Sequence, residues 1–312
     1  MSKSIPSDKN QRVRWTTATV VGAASWVVTT QLAGCGAAGK SGGEGGEGGE
    51  GAEGAGSVTS QSMSGGEGSG GEGSGGEGSG GEGPAAVGGG EGEGAQTAGA
   101  NFAVDDAAYL TQLGLIRGHL AVGNALYQND LAELAQTHIK HPRAEIYSVV
   151  APAFAKRGCD DFADGLSALT AAVTANEDKA RIAVLYATLT EQIARCEAKA
   201  ATGDPQVMTK VIENLLRTAA VEYQVGIIDG AVNNLHEYQD AWGFTQVAAD
   251  WASTAAYRNS ASATAVGVRL QAIITGLDRL WPSLNPTGSV DGDAAQLFGA
   301  AGQVEVASLS LE

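Results

Sequence analysis

The sequence predicts an all-α protein: a helical bundle or helical-hairpin array of about eight helices behind a disordered Gly/Glu-rich tether. Three observations carry this. Proline is scarce, 7 of 312 residues, while Ala and Leu are abundant and long β-branched runs are absent. Apolar residues recur at i, i+3, i+4 and i+7 between short turn signals. The low-complexity stretch is confined to the N-terminal third, which leaves about 210 residues to fold, enough for a sizeable core.

Residues 1–35 are laid out as an export address. Lys3, Lys9, Arg12 and Arg14 precede a moderately apolar run from Trp15 to Gln31, and then comes Leu32-Ala33-Gly34-Cys35. This resembles the signal peptide of bacterial lipoproteins. The resemblance implies lipidation of Cys35, a membrane anchor there, and a place in the cell envelope. Gly36, rather than an Asp, follows the cysteine and favours the outer membrane over the inner one. Residues 36–100 repeat GGE and then GGEGS. With so little apolar surface they cannot offset the chain entropy lost on ordering. As a flexible chain they would span roughly 40–45 Å.

The folded part is read as an all-helical domain over 101–285 and a flexible tail over 286–312. Asp105 and Asp106 start a helix that runs to about Tyr127, with Leu110, Leu113, Ile116 and Leu120 as its buried stripe. Asp130, with Glu133 three residues on, is in capping-box spacing for a second helix. Pro142 suits the first turn of a third helix, 142 to about 157, with His141 just outside and Pro152 as a kink. Helices over about 160–175 and 178–199 flank Asn176-Glu177, a tight antiparallel turn. Cys159 and Cys196 are equidistant from that turn. In an exported, oxidising compartment they are expected to form a disulfide, worth about 3–4 kcal/mol for a loop of this length. Further helices are expected over about 205–228, through His236 to Trp251, and from Ser262 to Leu280. The tail has weak helical potential near Ala294–Phe298, and Val304–Leu311 reads as a short strand or a frayed end.

The formal net charge is −16. Setting aside Asp8 and the ten glutamates before residue 100, with Lys3, Lys9, Arg12, Arg14 and Lys40, the domain still carries about −10. That sign disfavours nucleic acid and anionic lipid surfaces and suits attraction of cations.

Ligand-type side chains gather in two places. His119, His138, His141 and Glu145 form the first cluster, and Glu222, Asp229, His236 and Glu237 the second. Imidazoles and a carboxylate meeting at a helical corner suit iron or another transition metal. Structural readings stand beside this one. His138 at a helix C-terminus favours the dipole, Glu145 caps the helix opened by Pro142, and His119 is a hydrogen-bonded core residue. Glu222 and Asp229, seven apart, share a face only if their helix persists. No haem-attachment, phosphate-loop, nucleophile-elbow or zinc-peptidase motif occurs in a fitting context, so no enzyme is expected.

The segment EYQVGIIDGAVNNLHEYQDAWGF, Glu222 to Phe244, resembles the helical periplasmic regions associated with bacterial iron permeases of the FTR1 type. More loosely, the His141-Pro142-x-x-Glu145 corner is similar to sites in imelysin-like iron proteins, although it lacks their His-x-x-Glu spacing. The permease's membrane helices are absent from the sequence. The resemblance implies iron handling at the envelope, beside an iron-permease-type partner, rather than transport itself. The expectation is therefore a tethered envelope lipoprotein that binds a transition metal in uptake or sensing. The alternative is a helical scaffold that binds a protein partner without metal.

Overall fold

The structure, a computed structural model, describes residues 95–311; the expected signal peptide, the lipidation site Cys35 and nearly all of the tether lie outside the described residues. The described chain is all-α. Its long helices are α1 (Asp106–Gln128), α2 (Ala132–Pro142), α3 (Ala163–Thr174), α4 (Lys179–Glu197), α5 (Pro205–Gly226), α6 (Leu235–Trp251), α7 (Ala261–Thr275) and α8 (Ala294–Ser308).

The helix starts follow side-chain chemistry. The Asp105 carboxylate accepts from Ala108 N at 2.9 Å, Asp178 from Arg181 N at 3.0 Å, and Asp204 from Gln206 N at 2.8 Å with Pro205 opening α5. Asn234, Ser260 and Asp293 cap α6, α7 and α8 in the same manner. Each such cap satisfies a backbone N–H that lacks an intrahelical partner and contributes about 1 kcal/mol.

α1 runs through the middle of the molecule and packs against α2, α4, α5 and α6. α5 and α6 form the most extensive helix pair, and α8 lies along α5. Two close approaches set the geometry around α1. A Cβ on Gly243 of α6 would sit 2.6 Å from Val122 Cγ2 and collide with the Gly118 backbone, so the α1–α6 crossing needs glycine on both helices. A Cβ on Gly123 would sit 2.5 Å from Ile139 Cδ1, which draws α2 close to α1 in the same way.

Cys159 and Cys196 are disulfide-bonded with Cα atoms 5.0 Å apart, closing the open end of the α3–α4 hairpin. At the other end Asn176 takes a left-handed conformation, φ 54°, as a tight turn requires.

Four expectations are corrected. Asp130 does not cap α2: it adopts φ 62° in the turn, and α2 begins after Leu131 without a side-chain cap. Pro142 does not open a third helix. The chain stays helical through it and widens into a π-helical turn over Arg143–Tyr147, followed by short turns through Pro152 to Arg157. Proline has no N–H to give the carbonyl four residues back and its ring crowds that carbonyl, so a wider turn beside it relieves both problems. The segment 286–312 is not a flexible tail, nor is 304–311 a strand. α8 occupies 294–308 and buries Leu297, Ala300, Ala301, Val304 and Ala307. Finally, the last tether residues are held in place: Thr97 is buried and accepts from Gln112 Nε2 at 2.6 Å.

Candidate metal centre

The α1–α6 crossing brings two distant parts of the sequence together. His119 follows Gly118 on α1, and Asp240 lies one turn before Phe244 on α6. Here His119 Nδ1 is 2.7 Å from Asp240 Oδ1. α2 supplies His138, whose Nδ1 lies 2.8 Å from the same oxygen. All three side chains are fully buried. The other two histidines stack on these two. The His141 ring lies 4.7 Å from His119 at 19°, and the His236 ring 4.2 Å from His138 at 17°. Phe244 closes the group with an edge contact to His119. All four histidines of the chain therefore meet at one point.

The protonation pattern at His138 follows from its other neighbour. Gln239 Nε2 faces the Leu284 carbonyl oxygen at 2.6 Å, which can only accept. The Gln239 amide is thereby oriented with Oε1 towards His138 Nε2, at 2.7 Å. An amide oxygen also only accepts, so His138 Nε2 carries a hydrogen and donates it. In the neutral ring this leaves the lone pair of Nδ1 aimed at a carboxylate oxygen 2.8 Å away. Two lone pairs at that distance in a dry interior repel, and something positive must lie between them: a second ring proton or a metal ion.

The electrostatics agree with that arrangement. Burial alone would push the Asp240 carboxyl up, yet the charges and hydrogen bonds of His119 and His138 hold it well below the usual carboxylate range. Its second oxygen, Oδ2, is buried without a hydrogen-bond partner among the described residues. Burial, reinforced by the His138 ring and opposed by Asp240, lowers His236 to about 4. A neutral imidazole keeps a lone pair available to a metal.

The donor set fits a transition-metal ion. The ligand atoms of His119, His138 and Asp240 all lie within 4.8 Å of one another. The Nδ1–Oδ1 separations, 2.7 and 2.8 Å, are hydrogen-bond lengths, and opening them by a few tenths of an ångström reaches the edge of a coordination polyhedron with bonds near 2.1 Å, roughly 3.0–3.4 Å. Two imidazoles with one carboxylate is a donor combination used for Fe(II) and Zn(II). The bond from His138 Nε2 to Gln239 is the outer contact that orients a ligating imidazole.

The residues predicted from sequence are placed as follows. His119 and His138 are in the buried group, and His141 and His236 stack on its two sides. Glu145 lies on the π-helical turn, half-exposed, with Oε2 3.1 Å from His141 Nε2. Glu222 of α5 and Glu237 of α6 are buried, 2% and 5% exposed, and both are engaged with neighbours. Asp229 is corrected: it does not share a helix face with Glu222. α5 ends at Gly226, and Asp229 with Gly230 forms a two-residue turn, φ 51° and 77°, between two short strands, β1 (Ile227–Ile228) and β2 (Ala231–Val232). That is the type I′ hairpin turn which Asp-Gly favours, and it leaves Asp229 exposed. Sequence reasoning missed Asp240 and Gln239. The spacing of His236 and Asp240, four apart on a capped helix, is the signal that points to the former; nothing in the sequence points to the latter.

Against known families, residues 198–309 match the iron permease-associated 4-helix bundle domain. No curated protein and no solved structure matches. The matched segment contains α5 to α8 and is a little over a third of the chain. It includes Asp240 and His236, whereas His119, His138 and His141 come from helices that precede it.

Proposed function

We propose that this chain is an envelope protein, tethered through Cys35 and its Gly/Glu-rich linker, whose helical domain captures a transition-metal ion in uptake or sensing. Iron is the first candidate, with an iron-permease-type protein as the partner it serves. The observation that carries the metal reading is the shared oxygen: Asp240 Oδ1 faces two histidine Nδ1 atoms, at 2.7 and 2.8 Å, with no solvent access. The match of residues 198–309 to an iron permease-associated domain supports iron over other metals. The domain's excess of carboxylates supports cation capture, and no helix among the described residues is long and apolar enough to cross a membrane. Metal bound by α1, α2 and α6 would link the matched bundle to the helices before it. The residues His119, His138 and Asp240 hold the ion, Gln239 orients His138, and Phe244 keeps water from one side.

Elemental analysis together with thermal melts tests this. At a free Fe(II) or Zn(II) concentration of 100 times Kd, mass action adds about 2.7 kcal/mol. For a domain of this size that raises the melting temperature by about 5–10 °C, and a chelator reverses it. Failure of Fe, Zn or Cu to co-purify or to shift the melt would rule out the metal reading and leave the protein-binding scaffold.

A further inference from the structure

Two partly buried histidines, His141 and His236, flank the buried group, and His141 carries a carboxylate, Glu145, on its outer side. On the α2 side exposure falls in steps towards it: the Glu145 side chain is 42% exposed, His141 is 15% exposed, and His119, His138 and Asp240 are at zero. The steps are joined by contacts. Glu145 Oε2 meets His141 Nε2 at 3.1 Å, and the His141 ring lies flat on the His119 ring at 4.7 Å. The local backbone makes this possible. Glu145 is the central residue of the π-helical turn that follows Pro142, and that turn faces α1. π-turns interrupt a regular helix at some cost and often mark functional positions.

We propose that His141 and Glu145 form a solvent-side loading station through which a divalent transition-metal ion enters and leaves the buried His119–His138–Asp240 group. This rests on the metal reading above. A hydrated cation reaching a dry site must shed its waters, and exchange is fast only when protein donors replace them in turn. Glu145 supplies a negative oxygen at the surface. His141 supplies a nitrogen one step deeper, next to His119. The unpartnered Oδ2 of Asp240 is the buried atom that draws the ion on. The station is a transient ligand set: it governs how fast the ion moves and contributes little to where it rests.

That division has a kinetic signature. A group that lowers the barrier without holding the bound ion must change the association and dissociation rates by the same factor. The test uses the full chain and Co(II), whose visible spectrum reports coordination. Stopped-flow mixing gives the association rate, competition with a chelator gives the dissociation rate, and equilibrium titration gives Kd. Glu145→Gln, a half-exposed change that leaves the buried side chains untouched, is expected to slow both rates by about fivefold or more, with Kd changed less than twofold. Glu191→Gln removes the same charge from an exposed site on α4 and is expected to alter neither rate, which separates a local station from the general field of the acidic surface. An unchanged association rate in Glu145→Gln overturns the proposal. A weakened Kd with an unchanged association rate also overturns it and makes Glu145 a resident ligand. Equal slowing in Glu191→Gln overturns it in favour of long-range steering. If the wild-type chain takes up no Co(II), the metal reading itself fails and the station falls with it, a result distinguishable from the other three.

Discussion

The contact between α5 and α8 and the crossing between α1 and α6 are both buried helix pairs, built to opposite ends. Along α8, Leu297, Ala300, Ala301, Val304 and Ala307 turn apolar surface to the bundle, with the Arg217–Glu305 ion pair at the exposed edge. At the α1–α6 crossing, glycines bring the backbones together, and the space beside them holds His119 and Asp240. The first contact gains stability from every methylene it hides. The second hides charged and polar groups, whose desolvation costs free energy unless each is paired. The comparison teaches that this fold keeps its stabilising contacts apart from a polar centre that stability alone does not require.

The widest test of that separation is Leu297→Ala. A fully buried leucine removed from α8 should cost about 2–5 kcal/mol of unfolding free energy. Chemical denaturation measures this, and the metal Kd of the folded variant should be unchanged. A parallel loss of affinity would show that the two regions are coupled.

Asp240→Asn should do the reverse. It keeps the shape, removes the charge and presents an amide to both Nδ1 atoms. Titration should show affinity lowered by at least about 100-fold, or about 2.7 kcal/mol. The metal-free melt should fall by a few degrees, because the carboxylate that pairs with two buried histidines is replaced by a neutral amide. A metal-free variant that fails to fold would make Asp240 a structural partner of the histidines instead.

The smallest effect is that of pH on the metal-free protein. His236 has a folded pKa of about 4, below the ordinary 6.5 of a histidine, so the unfolded chain takes up the proton first. Its contribution to stability is full above pH 6.5 and is lost as pH falls towards 4. His236→Gln should flatten the fall in melting temperature over that window. An identical slope in wild type and variant would mean that the histidine stack does not hold His236 neutral.

Several elements were legible in the sequence because they depend on local chemistry. Asp105 caps the helix it was expected to start, the helices expected from about 178 and 205 do begin there, and the Cys159–Cys196 pairing followed from symmetry about Asn176-Glu177. Where a residue admitted two local solutions, reading failed. Asp130 was suited both to a cap and to a left-handed turn, and it took the turn. Asp229-Gly230 read as the end of a helix and is a hairpin turn. Pro142 read as a helix start and lies in a helix that a π-turn lets continue. Apolar spacing near the C-terminus looked too weak for a helix, since alanines contribute little pattern; α8 is stabilised by what it covers.

The sequence by itself determined the all-helical class, most helix starts, the disulfide and the presence of ligand-type residues in two clusters. Only the tertiary structure decided that His236 of the second cluster joins the histidines of the first, around Asp240. His119 and Asp240 lie 121 positions apart in the chain, and no periodicity links residues on different helices. Their meeting is set by glycine at 118 and 243, where a Cβ would collide across the α1–α6 crossing, while Gly123 makes room for Ile139 of α2. Gln239 acquires its role only because the Leu284 carbonyl, arriving from a later loop, turns its amide. Spacing along a helix reports which face a residue occupies; which nitrogen faces which oxygen depends on how the helices cross.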